Sequence, residues 1–232
     1  MTREHLTLEE AERRIMKIRK RRFGDFGVPV PNDAVTAKGR FGSLLEEYIG
    51  LNPLSNKSDF LDGELKTNMT YADGRPKETI FICQIGNLLK GDGGLLGPTP
   101  TPFEESYLYA KVRNMLIVPV VKVDLPPEEW YVDNVYHVIA DRQSNPHLFA
   151  KFKEDYESIC SQNRMALKIS VNAMIHTTNG PHYIQIRTKD GIPSTYKPMY
   201  CPHFKRDISN KRFAFYFTKK LVNDFRRGDL SI

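Results

Sequence analysis

The 232-residue chain is poor in cysteine, and its three cysteines (Cys83, Cys160, Cys201) are scattered, with no Cys-x-x-Cys pair. An odd, dispersed set argues against a disulfide framework and against a structural zinc site. Cys201-Pro202-His203 offers two metal ligands with no second pair to complete them, so the thiols read as ordinary. No apolar run approaches the ~20 residues of a membrane span. Met1-Thr2-Arg3-Glu4-His5 lacks the apolar core of a signal peptide. A soluble, cytoplasmic protein is therefore expected. Residues 86–102 are dense in Gly, Pro and Leu, but the Gly-Lys-Ser/Thr ending of a phosphate-binding loop is missing. The six histidines are dispersed, and none is assigned to catalysis. No internal repeat is visible.

What remains is ample for a folded chain. Hydrophobic residues make up 40%, enough for one sizeable domain or two lobes sharing a core. The formal net charge is +6 and unevenly spread. Residues 13–22 hold Arg13, Arg14, Lys17, Arg19, Lys20, Arg21 and Arg22 with no acid among them, and residues 185–227 are again strongly basic. Two basic clusters around a more acidic middle suit a polyanion clasped from two sides. A solvated surface accounts for the same charges equally well.

Thr7-Leu8-Glu9-Glu10 reads as a capping box. Leu8, Ala11, Ile15 and Ile18 follow at helical spacing, and the helix is expected to end near Phe23-Gly24. Residues 24–37 read as a loop. A short helix over 38–50 would turn Phe41, Leu44, Leu45 and Tyr48 inward and end at Gly50. Residues 79–83 form a β-rich run expected to pair antiparallel with the strand before them, as a hairpin. A helix from Glu104 to Asn114, a buried strand over 115–121, a helix from Pro146 to about Gln162, strands at 182–187 and 213–217, and a last helix capped by Thr218 complete the chain. The order of elements predicts an α/β fold with a mixed sheet.

The most informative stretch is Ser58-Asp59-Phe60-Leu61-Asp62-Gly63-Glu64-Leu65-Lys66-Thr67. On a strand beginning at Gly63, Glu64 and Lys66 share one face while Leu65 packs on the other. Asp59 lies just before the strand, where the chain can curl back and set its carboxylate beside that of Glu64. Two such carboxylates repel unless a cation lies between them, and hard oxygen ligands suit Mg²⁺. Lys66 would then hold a phosphate or orient a water. Glu46, next to an apolar helical stripe, needs a partner if it points inward, either a metal or Lys66. On spacing alone, a solvated Glu-x-Lys face explains the triplet as well.

Lys38-Gly-x-x-Gly-x-Leu-Leu-Glu46, followed by Asp59 and Glu64-Leu65-Lys66-Thr67, resembles the MutH family, mismatch-repair nicking endonucleases and related GATC-cleaving type II restriction enzymes. The likeness continues in order through Gly74-Arg75-Pro76-x-Glu78-Thr79-x-Phe81-x-Cys83, Lys111 ahead of Val118-Pro119-Val120, Tyr183-x-Gln185-Ile186-Arg187-x-Lys189, and Phe215-Tyr216. It departs from the family in the shorter spacing between Asp59 and Glu64, which demands a tighter turn, and in Thr188 between Arg187 and Lys189.

The resemblance implies a PD-(D/E)xK restriction-endonuclease-like fold, with a mixed central sheet flanked by helices and two lobes forming a DNA cleft. The catalytic lobe would cover about residues 1–125 and the DNA-recognition lobe about 126–232. Asp59, Glu64, the Leu65 carbonyl and Glu46 would hold one or two Mg²⁺, with Lys66 as the catalytic lysine. Lys38 and Lys111 would hold DNA or phosphate, and Arg187, Lys189 and Tyr216 would contact bases. The expected activity is double-strand cleavage at GATC or a related short palindrome, leaving 5′-phosphate ends, by a homodimer on DNA. The alternatives are a repair nickase activated by a mismatch-repair partner and a DNA-binding protein that does not cut.

Overall fold

The computed structural model describes residues 6–26, 34–50, 60, 62–85, 100–169, 180–189, 199–202, 204–208 and 213–230. They divide into two units, each gathered from separate stretches of chain. Met1–Ile80, Val112–Ala140 and Leu221–Ile232 make the first, and Phe81–Lys111 with Asp141–Lys220 the second. No helix among the described residues is long and apolar enough to cross a membrane.

The first unit is built on β3 (Asn114–Val121), buried from Met115 to its end. Such an unbroken apolar run has no solvent face to offer and must be covered on both sides. Strand β1 (Glu64–Thr70) pairs with β3 in parallel, Glu64 opposite Met115 and Lys66 opposite Ile117. Strands β4 (Tyr131–Val132) and β5 (Tyr136–Ile139) pair with its other edge, antiparallel. The sheet is therefore mixed, as expected of an α/β fold.

The expected hairpin is not formed. After β1 the chain does turn back, with Tyr71 N–H on Arg75 O, Lys77 N–H on Met69 O, and one bridge between Thr70 and Pro76. Pro76 has no N–H to donate, and the ladder stops there. The next strand, β2 (Ile80–Ile85), joins a different sheet. The stretch from β1 to β3 thus becomes the long crossover that a parallel pair requires.

Helices cover both faces of the β1–β3 sheet. Helix α1 (Leu8–Met16) and helix α2 (Ala34–Ile49) supply Leu8, Ala11, Ile15, Phe41, Leu45 and Ile49 to one buried cluster with Leu65, Leu116, Val118 and Val120. At about 25 cal/mol per Å² of apolar area, this burial dominates the unit's stability. On the other face Phe225 of α5 (Lys219–Arg227) stacks on Tyr136 at 5.4 Å between ring centroids.

Thr7 caps α1 as expected, accepting from Glu10 N–H, but Glu10 turns its carboxylate to Arg13 and Arg14 instead of back to the cap. The helix ends at Met16 rather than near Phe23 because Lys20 adopts φ 65° and its N–H bonds Val132 O. Helix α2 starts at Ala34, earlier than expected. Tyr48, expected inward, is 37% exposed and lies against Phe26 at 5.1 Å.

The second unit carries helix α3 (Tyr107–Val112), which runs up to the boundary, and helix α4 (Pro146–Ile169). Its three-stranded sheet has the order β2, β9 (Phe213–Phe217), β6 (Ile184–Thr188). Strands β7 (Met199–Cys201) and β8 (Arg206–Ile208) pair with each other. Helix α4 buries Phe149, Phe152, Tyr156 and Ile159, as its spacing predicts, and runs beyond Gln162. Its Asp155, wholly buried, accepts from Tyr183 N–H at 2.7 Å, Ile184 N–H at 3.0 Å and His182 Nδ1 at 2.8 Å. One carboxylate thereby fixes the start of β6. Thr218 donates its hydroxyl to His182 O.

Candidate active site

Glu64 opens β1 and is 4% exposed, and Lys66 Nζ lies 3.0 Å from its Oε2. Strand alternation puts both side chains on the face of the sheet opposite Leu65. Asn68 and Thr70 continue that row and are buried. Asn68 donates to Glu78 O at 3.1 Å, while its Oδ1 and the Thr70 hydroxyl have no hydrogen-bond partner among the described residues. Burying three polar side chains (Glu64, Asn68 and Thr70) in one row, with Lys66 half-buried between them, is costly. An ion pair removed from water is weak as a source of stability, so stability alone does not account for this row.

The turn before β1 is held from several sides. Phe60 N–H donates to Gly63 O at 3.1 Å. Phe60 itself is buried in the core. Asp62 Oδ1 accepts Leu8 N–H at 2.8 Å, capping α1 from 54 residues away, and Asp62 O accepts Asn114 Nδ2 at 3.0 Å. Asn114 Oδ1 meets His137 Nε2 at 2.8 Å, and His137 Nδ1 lies 3.3 Å from Glu12. A Cβ at Gly63 would stand 2.3 Å from Asn114 O, so only glycine fits there.

Of the residues expected at the site, Glu64, Leu65 and Lys66 stand together on β1. Asp59 and the side chain of Lys38 lie outside the described residues. Glu46 is half-buried on α2, the helix packed on the Leu65 side of β1. A methyl on Gly42, one turn earlier, would come within 4.0 Å of Thr67 Oγ1, so that side of α2 borders the strand. The donors present (Glu64, the Leu65 carbonyl and Glu46) are all oxygen, the set a hard divalent cation prefers. Among the described residues no cluster of three His, Cys, Asp or Glu forms a ready metal site.

The remaining expected residues belong to the second unit. Lys111 Nζ sits over the Tyr107 ring at 5.5 Å. Arg187 on β6 lies over Tyr216 of β9 at 5.5 Å, with Gln185 paired directly opposite Tyr216. Lys189 Nζ lies 4.4 Å over the Phe81 ring, and Phe81 meets Tyr216 edge-on at 5.6 Å. Arg187, Lys189 and Tyr216 thus share one outward sheet face, and Tyr216 stands apart from its buried neighbours Phe215 and Phe217. Phe81 is an addition to the expected set. Its signal in the sequence is its place between inward Ile80 and Ile82.

No family model matches the chain. It is similar to proteins named DNA mismatch repair protein MutH. With the one from Enterobacter sp. (strain 638) it is 33% identical over 97 residues, 40% of this chain and 39% of that protein. With that of Klebsiella pneumoniae (strain 342) it is 36% identical over 97 residues, 40% and 38% of the two chains. With that of Yersinia enterocolitica serotype O:8 / biotype 1B it is 37% identical over 97 residues, 40% and 39%. The chain spans about two fifths of the length of the curated relatives it matches. Over that shared stretch, these matches support a MutH-type family relationship.

Proposed function

We propose that the chain is a Mg²⁺-dependent DNA endonuclease of the PD-(D/E)xK fold. The observation that carries this reading is the Glu64–Lys66 pair at the start of β1, 3.0 Å apart, with Glu64 buried and Lys66 half-buried. Asp59, Glu64 and the Leu65 carbonyl are the ligands for the metal. Glu46 of α2 would be the further carboxylate of the set. A bound Mg²⁺ supplies a water of lowered pKa and neutralises charge at the phosphate. Lys66 orients that water or offsets the growing negative charge. Lys38 and Lys111 hold the DNA backbone. Arg187, Lys189 and Tyr216 present the base-contacting face, where an arginine reads guanine through two hydrogen bonds.

The preferred activity is type II restriction at GATC or a related palindrome by a homodimer. A second reading is favoured by the name of the relatives, mismatch repair protein: a nickase switched on by a repair partner. Incubation with Mg²⁺ and plasmids bearing unmethylated or adenine-methylated GATC separates them. Discrete fragments lost in Glu64→Gln support restriction, while nicked circles support the repair reading. Tight binding without cleavage in any divalent metal would leave a binder only. Glu64→Gln preserves shape and is expected to lower cleavage at least ~100-fold with the fold intact.

A further inference from the structure

The basic run after α1 is held rigidly. Lys20 N–H bonds Val132 O at 2.9 Å, Phe23 N–H bonds Trp130 O at 2.8 Å, and Arg22 bridges Tyr131, so β4 fixes the whole turn. Lys17, Arg19, Lys20, Arg21 and Arg22 are all exposed. Lys20 is neutralised by Asp133. Arg19 spends its Nε on a carbonyl, Asp133 O, and Arg21 rests its guanidinium on the Phe26 ring at 4.6 Å. Neither contact cancels a positive charge, and Lys17 and Arg22 form no ion pair among the described residues. Flexible lysines in solvent would be an ordinary surface. Four unneutralised cations on a backbone pinned to a sheet are a preorganised one, with little backbone entropy left to lose on binding.

We propose that Lys17, Arg19, Arg21 and Arg22 form a second contact surface for the phosphate backbone of duplex DNA, separate from the catalytic pair. The occupant follows from charge. Duplex DNA presents a negative charge about every 1.7 Å along its axis, and this strip offers four exposed cations to it. Its start lies one length of α1, about 13 Å, from the Asp62 turn that caps the helix. That is less than half a turn of duplex, about 34–36 Å. Contacts of this kind position DNA without reading sequence. The inference rests on the DNA-cutting reading.

The test is fluorescence anisotropy of the full chain on a duplex of ~30 base pairs containing GATC, in EDTA, across roughly 50–200 mM KCl. Wild type is compared with Lys17→Gln/Arg21→Gln/Arg22→Gln, and with Lys17→Arg/Arg21→Lys/Arg22→Lys, which keeps the charge. Each phosphate that the Gln variant leaves unneutralised is expected to lower the slope of log K against log salt by about 0.9. With two or three such phosphates, wild type sheds about 10–40-fold more of its affinity over that salt range than the Gln variant. The charge-keeping variant should follow wild type. Equal slopes for wild type and a folded Gln variant overturn the inference while leaving the nuclease reading intact. Wild type that binds anionic lipid vesicles or an acidic polypeptide but no duplex overturns both.

Discussion

Asn114 Nδ2 donates to the carbonyl of Asp62 at 3.0 Å, so β3 holds in place the turn that delivers Glu64. The amide is itself oriented, because its Oδ1 meets His137 and His137 meets Glu12 of α1. Asn114→Ala removes this clamp at a partly exposed position. The expected cost is about 1 kcal/mol in stability, a fall of ~2–4 °C in Tm. Cleavage should fall by more than the folded fraction accounts for, because a shift of the turn misplaces the acid. Asn114→Asp keeps an acceptor for His137 but cannot donate to Asp62 O. If the turn is what matters, it will cut as poorly as the alanine variant; wild-type cutting would transfer the role to the His137 contact.

Gly63 and Gly42 make a matched pair of tests. An added Cβ at Gly63 would lie 2.3 Å from the backbone oxygen of Asn114 and 2.4 Å from Leu8 Cδ1. The leucine can rotate, but the β3 backbone cannot retreat without disturbing the β1–β3 register. Gly63→Ala is expected to destabilise by about 1–3 kcal/mol and to abolish cutting. At Gly42 the nearest atom to an added Cβ is Thr67 Oγ1 at 4.0 Å, an ordinary contact. Gly42→Ala inside α2 should stabilise by up to about 1 kcal/mol from helix propensity. Thermal unfolding of both variants checks the pair, and similar Tm values would refute the geometry of the turn.

Sequence signals are legible where local physics decides. The Thr7 cap, the Leu8/Ala11/Ile15 stripe, the inward Phe41 and Leu45, and the common face of Glu64 and Lys66 all follow from side chains a few positions apart. The end of α1 is not legible in this way, because Ile18 remains buried after the helix has stopped and apolar spacing outlives the helix. The parallel partner of β1 is out of reach because it lies beyond a long crossover, and β2 resembles any local hairpin partner. Asp62 and Asp155 are equally hidden. Each carboxylate satisfies backbone groups distant in sequence, and no spacing rule links such positions.

Asp155 offers the largest stability effect outside the site. It is fully buried and satisfies two backbone N–H groups at the start of β6. Asp155→Ala would orphan both, and hydrogen bonds to a charged group are worth about 1.5–3 kcal/mol each. A loss of at least about 3 kcal/mol is expected, or ~6–12 °C in Tm. Because Arg187 lies on β6, DNA affinity should fall along with stability. The folded fraction of Asp155→Asn, whose carbonyl oxygen can take the place of Oδ2 and accept both bonds, should bind better. An Asp155→Ala variant as stable as wild type would refute the role of these two hydrogen bonds.

The second unit also predicts an alkaline limit. A cavity of about 490 Å³ lies along α4, bordered by Phe103, Tyr156, Cys160 and Arg164. Burial pushes the Cys160 thiol up to about 11 and raises the Tyr156 phenol as well, since a low-dielectric site disfavours the charged form. Raised values mean that the folded chain keeps protons the unfolded chain releases. The contribution is whole below the ordinary thiol range and is lost as pH climbs from about 9 towards 11. For Cys160 alone the loss is about 1 kcal/mol by pH ~10. Tm measured between pH 7 and 10.5 should therefore decline on the alkaline side, and less steeply in Cys160→Ala. The same shift leaves roughly one thiol in a thousand ionised at pH 8, so Cys160 should resist alkylation until denaturant exposes it. Fast labelling of Cys160 in the native protein would contradict its burial, and an unchanged alkaline limb in Cys160→Ala would assign that limb to Tyr156.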